Sequence, residues 1–80
     1  MVEAFMLIQT EVGRAEVVAK QLIGLTGVVS AAYVTGPYDV VARIGADSED
    51  ELQRTVVGRV QQVAGITRTL TCPIAAVGQP

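Results

Sequence analysis

The stretch Val28–Ile44, VVSAAYVTGPYDVVARI, decides the fold. Two runs rich in β-branched residues, Val28–Thr35 and Val40–Ile44, flank the turn Gly36-Pro37-Tyr38-Asp39. Glycine tolerates a positive φ, proline fixes the backbone and aspartate bonds nearby amides, so the spacing predicts an antiparallel hairpin. Working outward, each arm of the hairpin is flanked by a helical pattern. Ala15, Val18, Leu22 and Leu25 recur at helical spacing within residues 13–25, with Arg14, Lys20 and Gln21 off the stripe. On the other side Ser48-Glu49-Asp50-Glu51 is a capping box, and Leu52, Val56, Val60 and Val63 follow as a helical stripe to about Val63. Beyond the helices lie two more strands. Val2–Gln9 is apolar at odd and even positions, which predicts a strand buried on both faces. Ile66–Ile74 alternates Thr67, Thr69 and Thr71 against Ile66, Arg68, Leu70 and Cys72, with Pro73 suited to a strand end. The tail Ala75–Pro80 leaves an added edge strand and a frayed end both open.

The order is β-α-β-β-α-β, and it echoes itself. Leu25-Thr26-Gly27-Val28 closes the first helix and Val63-Ala64-Gly65-Ile66 the second, 38 residues later. The pattern predicts an α+β, ferredoxin-like fold: a four-stranded antiparallel sheet with two helices on one face. The first two strands carry apolar groups on alternate positions of both kinds, and an uncovered apolar sheet face is an aggregation hazard. A second copy laid face to face would cover it, so a homodimer of the dimeric α/β-barrel kind is expected. Size points the same way. The chain has 80 residues, a single domain over 1–80 with a marginal core, and one Cys and no His with which to staple it.

Charge and composition remove several function classes. Six Lys+Arg against eight Asp+Glu give a net charge of −2, and the cations are scattered singly. Phosphate backbones are bound by clustered cations, so no direct nucleic-acid contact is expected. Without His the chain lacks the commonest general base and most transition-metal sites, so no cofactor is expected. An acid, Glu3, stands where a signal peptide would be basic, and no apolar run reaches the roughly 20 residues of a membrane span. A cytoplasmic location away from the membrane is the expectation. The single Cys rules against a copper-chaperone thiol pair, and the scarcity of aromatics against an RNA-binding sheet.

Three features invite a functional reading beside a plain one. Gly36, Pro37, Tyr38 and Asp39 either make a hairpin turn or present amides to a ligand carboxylate, with Asp39 holding the loop or meeting an amino group; Tyr38 is a packing anchor or a pocket wall. Thr69 and Thr71 belong either to a solvated strand face or to an uncharged hydrogen-bonding wall. Cys72, next to Pro73, reads as a small buried filler.

The ordered set Gly27-Val28, Gly36, Tyr38-Asp39, Gly65-Ile66 and Thr67-Arg68-Thr69-Leu70-Thr71 resembles the effector-binding (RAM) domain of the Lrp/AsnC, or feast/famine, transcriptional regulators over about residues 3–74. Those regulators carry a helix-turn-helix domain in front; this chain starts at the first strand, so it resembles a stand-alone ligand-binding domain without helix-turn-helix. The resemblance implies a non-enzymatic module that dimerises through its sheets, builds octamer-like rings and binds an amino-acid effector between dimers. It implies ligand-binding roles for Gly36, Pro37, Tyr38 and Asp39, and for Thr69 and Thr71 from a facing subunit, with full-length Lrp/AsnC relatives as further partners. Two alternatives stand beside it: a small cofactor-free monooxygenase or isomerase of the dimeric α/β-barrel kind, whose substrate cavities ordinarily use the His, Trp or Asn that this chain lacks, and an oligomerisation module without ligand.

Overall fold

The computed structural model describes residues 1–75, so all but the first residue of the tail lies outside the described residues. Strand β1 (Val2–Thr10) is followed by helix α1 (Ala15–Ile23), β2 (Val28–Tyr33), β3 (Val40–Ala46), helix α2 (residues 49–61) and β4 (Ile66–Pro73). All pairings are antiparallel, in the order β2-β3-β1-β4. The βαββαβ, ferredoxin-like architecture is the expected one.

The echo in the sequence is an approximate two-fold symmetry in space. Gly27 and Gly65 both adopt φ +96°, a conformation that disfavours any side chain. The Gly27 carbonyl accepts from the Gly45 amide at the end of β3, and the Gly65 carbonyl from the Glu11 amide just past β1, both at 2.8 Å. Each edge strand then bulges at its second residue: Val29 is the extra residue of β2, and Thr67 of β4. These bulges rephase the alternation. Val28, Ala31 and Tyr33 face the helices together, and so do Ile66, Thr69 and Thr71. The hydroxyl stripe expected from Thr67, Thr69 and Thr71 is therefore broken, with Thr67 out of phase and Ile66 sharing a face with the other two.

The halves differ in one respect. Bulge partners Gln9 and Arg43 are 34 residues apart, whereas the glycines are 38 apart, so the second half holds four additional residues, and they lie within its helix. They form an extra helical turn. Ser48 Oγ accepts from the Glu51 amide at 3.1 Å, and Glu51 reaches back to the Asp47 amide at 3.3 Å, a capping box displaced by one residue. Residues Leu52–Val56 wind as a π-helical turn between α-helical ends, with the Val57 amide bonded to the Leu52 carbonyl. The π turn keeps Leu52, Val56, Val57 and Val60 on the buried face.

The core lies between the helices and one sheet face. Ala4, Met6 and Ile8 of β1 and Val40, Ala42 and Ile44 of β3 are fully buried, against Val18 and Leu22 of α1 and Leu52 and Val60 of α2. Each large side chain so buried contributes about 1.5–3 kcal/mol. The opposite face carries Phe5, Leu7, Val41 and Leu70 and is uncovered in the single chain, with Phe5 40% and Leu70 47% exposed. Burial of β1 on both faces is thus not found within one chain. Nor is Cys72 a buried filler: pairing with Phe5 turns it to the uncovered face, where it is exposed. At one end of that face Arg43 grips Glu3 through two bonds, Nη2–Oε1 at 2.7 Å and Nε–Oε2 at 3.2 Å. The bonds from this guanidinium hold the Glu3 carboxyl below its ordinary value of 4.5.

Two glycine substitutions should have opposite signs in urea denaturation. A Cβ at Gly27 would lie 2.7 Å from Val56 Cγ2 on a positive-φ backbone, so Gly27→Ala should destabilise by about 1–3 kcal/mol. Gly58 lies within α2, where a Cβ meets nothing within 4 Å, so Gly58→Ala should stabilise by about 0.5–1 kcal/mol. The ion pair sets a pH signature. Because Glu3 titrates below its ordinary value when folded, its contribution is present above that value and fades as the pH falls through the lowered one. Glu3→Gln should be less stable than the wild type near neutrality, with the gap closing in acid; a gap independent of pH would show that the charge does not contribute.

Candidate functional site

A cleft of about 670 Å³ opens at the end of the sheet where β1 meets α1 and β2 meets the hairpin turn. Thr10, Glu11, Val12, Gly13, Ala15 and Glu16 form one wall, so the chain passes from strand to helix along it. Tyr33, Val34, Thr35, Gly36 and Asp39 form the other. This is the half with the longer strand-to-helix connection and the shorter helix. In the second half the extra turn of α2 brings the fully buried Leu52 against β3 instead.

Asp39 joins the two walls. Its Oδ2 accepts from the Thr10 amide at 2.8 Å, its own amide donates to the Ile8 carbonyl at 2.9 Å, and its carbonyl accepts from the Val34 amide at 2.9 Å. A charge-assisted bond of this kind contributes about 1.5–3 kcal/mol. Gln9 Nε2 donates to the Pro37 carbonyl at 3.1 Å, which ties the turn down again. Of the turn residues singled out by sequence, Gly36 and Asp39 line the cleft, while Pro37 and Tyr38 stand outside it.

Thr69 and Thr71 are elsewhere. Both face the helices from β4, Thr69 opposite Ile8 and Thr71 opposite Met6. Thr69 Oγ1 accepts from Gln61 Nε2 at 3.1 Å, beside a shallow depression of about 200 Å³ that Thr67 and Arg68 share. Tyr33, Val40, Ile8 and Thr69 form one row across the sheet, so three strand spacings, roughly 14 Å, separate the Tyr33 wall from Thr69, while β1 lies between Asp39 and β4. One chain does not bring the turn and the threonines together.

The wall Thr10–Glu16 and the Tyr33 ring were not signalled by sequence. Thr10-Glu11 read only as the end of a strand, and Tyr33 as an apolar strand residue. Gly13, at φ +79° with open space around it, was the one available cue. The cleft is acidic: Glu11, Glu16 and Asp39 line it, and among the described residues no Lys or Arg does. Among the described residues no trio of His, Cys, Asp or Glu is placed to hold a metal ion, and none of their helices is long and apolar enough to cross a membrane.

The match that decides the family spans nearly everything described above: the Lrp/AsnC ligand binding domain fits residues 3–76. The chain belongs to the Lrp/AsnC ligand-binding domain family. Among solved structures, this Lrp/AsnC domain is similar to TTHA0845 from Thermus thermophilus, with TM-score 0.87, 29% identity and full coverage of both chains. It is also similar to AsnC of E. coli, with TM-score 0.85 and 24% identity; the match covers 99% of this chain and 54% of AsnC. A third neighbour shares the fold at 14% identity and TM-score 0.78, the Neisseria meningitidis regulator NMB0573 solved as an L-Met complex, over 94% of this chain and 50% of that one. No curated protein matches in sequence.

Asp39→Ala should destabilise the domain by about 1–3 kcal/mol and speed hydrogen exchange at the Thr10 amide, whereas Asp39→Asn, which keeps an acceptor, should recover most of the loss. Unchanged exchange at Thr10 in the alanine variant would mean that this bond does not fasten the two walls.

Proposed function

We propose that this Lrp/AsnC domain is a non-enzymatic regulatory module of the cytoplasm, in which a small amino-acid-like effector enters the cleft and shifts the assembly of the chain. The observation that carries this reading is the cleft itself, held by the Asp39 clamp between the hairpin turn and the end of β1. Its size exceeds that of an amino acid, which leaves room for a neighbouring copy to close it. The L-Met complex of a structural neighbour supports the ligand class.

Assembly begins with a homodimer formed across the uncovered sheet face, where Phe5, Leu7, Val41 and Leu70 of each copy are removed from water. Ring-like stacking of dimers then sets Thr69 and Thr71 of one copy against the turn of another, since within a single chain β1 stands between them. A ligand bound between copies stabilises the assembly that binds it. Full-length relatives could be drawn into the same assembly through the same face. The chain itself makes no contact with DNA in this reading, since its six cations are dispersed and three of them are tied to acids. An enzymatic role is disfavoured by the lack of His, Trp and Asn.

A thermal-shift panel of the twenty amino acids, read with native mass, tests the proposal. A ligand at 100 times its dissociation constant adds roughly 2.7 kcal/mol, and each kcal/mol raises the Tm of a domain this size by about 4–8 °C. A saturable shift with a change of mass is the expected result. An unchanged Tm and mass across the panel would favour an oligomerisation module that takes no amino acid.

A further inference from the structure

We infer that the cleft selects ligands with a second cationic group, diamino acids over neutral or acidic ones; this rests on the reading of the cleft as an effector site. Three carboxylates line it, and the one cation paired with any of them is Lys20, whose Nζ reaches Glu16 Oε1 at 3.5 Å along α1 with its side chain 76% exposed; Arg14, in the same wall segment, packs its side chain against Gly65 instead. The other cations are engaged or placed elsewhere. Arg43 holds Glu3, Arg54 holds Asp50, Arg59 donates to the Thr26 carbonyl, and neither Arg14 nor Arg68 lines the cleft.

An α-amino acid brings one ammonium and one carboxylate, which cancel. The carboxylate has a place to go: α1 starts in the cleft wall at Ala15, and no side chain caps it, so its first-turn amides are free to receive an anion. The α-ammonium then meets one carboxylate, and the cleft remains acidic. A ligand whose side chain ends in a cation removes that excess; one ending in a carboxylate adds to it. The far rim supplies a second attraction. Tyr33, 58% exposed, presents an aromatic ring there, and a ring face attracts a cation. Asp39 is already partly neutralised by the Thr10 amide, so Glu11 and Glu16, both exposed, carry the selection.

Titration calorimetry of the intact protein at low salt with L-lysine and L-norleucine, which differ by the terminal ammonium, tests this directly; L-glutamate against L-glutamine tests the opposite sign. Lysine should bind more tightly than norleucine, and glutamate less tightly than glutamine. Glu11→Gln and Glu16→Gln should each reduce the lysine-to-norleucine affinity ratio by up to about fivefold. Lys20→Gln should increase it, a gain that general damage to the fold would not produce. Raising the salt should flatten all these ratios. Neutral ligands binding as well as lysine, or glutamate binding as well as glutamine, would overturn the charge preference while leaving the effector site in place. No binding by any of the four would overturn the preference, and together with an unchanged Tm across the twenty amino acids it would overturn both.

Discussion

Both halves of the domain hang on the same joint, a glycine in the left-handed region between helix and returning strand. At Gly27 and Gly65 the chain reverses within a few residues, and the glycine carbonyl takes the amide at the end of the neighbouring strand. That single bond registers each edge strand against the centre of the sheet and fixes where the helix above it ends. At Gly27 the joint is also a packing constraint, since the π turn of α2 presses Val56 onto the position a side chain would occupy. The bulges at Val29 and Thr67 follow one residue after the strands begin, and they turn the apolar set of each edge strand toward the helices.

The cleft follows from an inequality between otherwise similar halves. Where α2 gained a capped turn with the fully buried Leu52, α1 begins late, at Ala15, behind an uncapped Arg14. Burying a leucine in one half and leaving a notch in the other sacrifices stability at the notch, the usual relation between binding sites and cores. Asp39 limits that cost. Its carboxylate substitutes for a backbone acceptor at Thr10 and keeps the two walls together without filling the space between them.

Much of this was readable in the amino acids, and the limits of that reading are physical. The echo of Gly27 and Gly65, the hairpin at Gly36–Asp39 and the Ser48 cap are local signals, each carried by residues adjacent in the chain. Bulges are not: whether Val29 or Thr67 is the extra residue depends on the partner strand, so Thr67 was grouped with Thr69 and Thr71, and Ile66 set against them. Cys72 was misplaced for a related reason, because the face a strand residue takes follows from its register and from which face the helices cover. The cleft joins residues 10–16 to residues 33–39, and neither segment announces the other. Gly36 and Asp39 could be singled out from turn chemistry alone, but Glu11, Glu16 and Tyr33 matter only because the Asp39 clamp brings their segments together.

In the proposed function the same geometry would link binding to assembly. The uncovered face ends at Gln9 and Arg68, and Gln9 donates to the Pro37 carbonyl in the turn that walls the cleft. Pressing a second sheet onto that face must therefore order the Gln9 side chain, and with it the turn. Conversely, a ligand that fixes the turn fixes Gln9 at the rim of the interface. The two events would share a side chain, a backbone carbonyl and the Asp39 clamp behind them, so free energy gained at one would reach the other through contacts already in place. Glu3 and Arg43, paired at the opposite end of the face, carry no such link to the cleft. In that assembly their contribution would be to the fit of the face, whereas that of Gln9 would be to communication, and the two ends of one sheet surface would do different things.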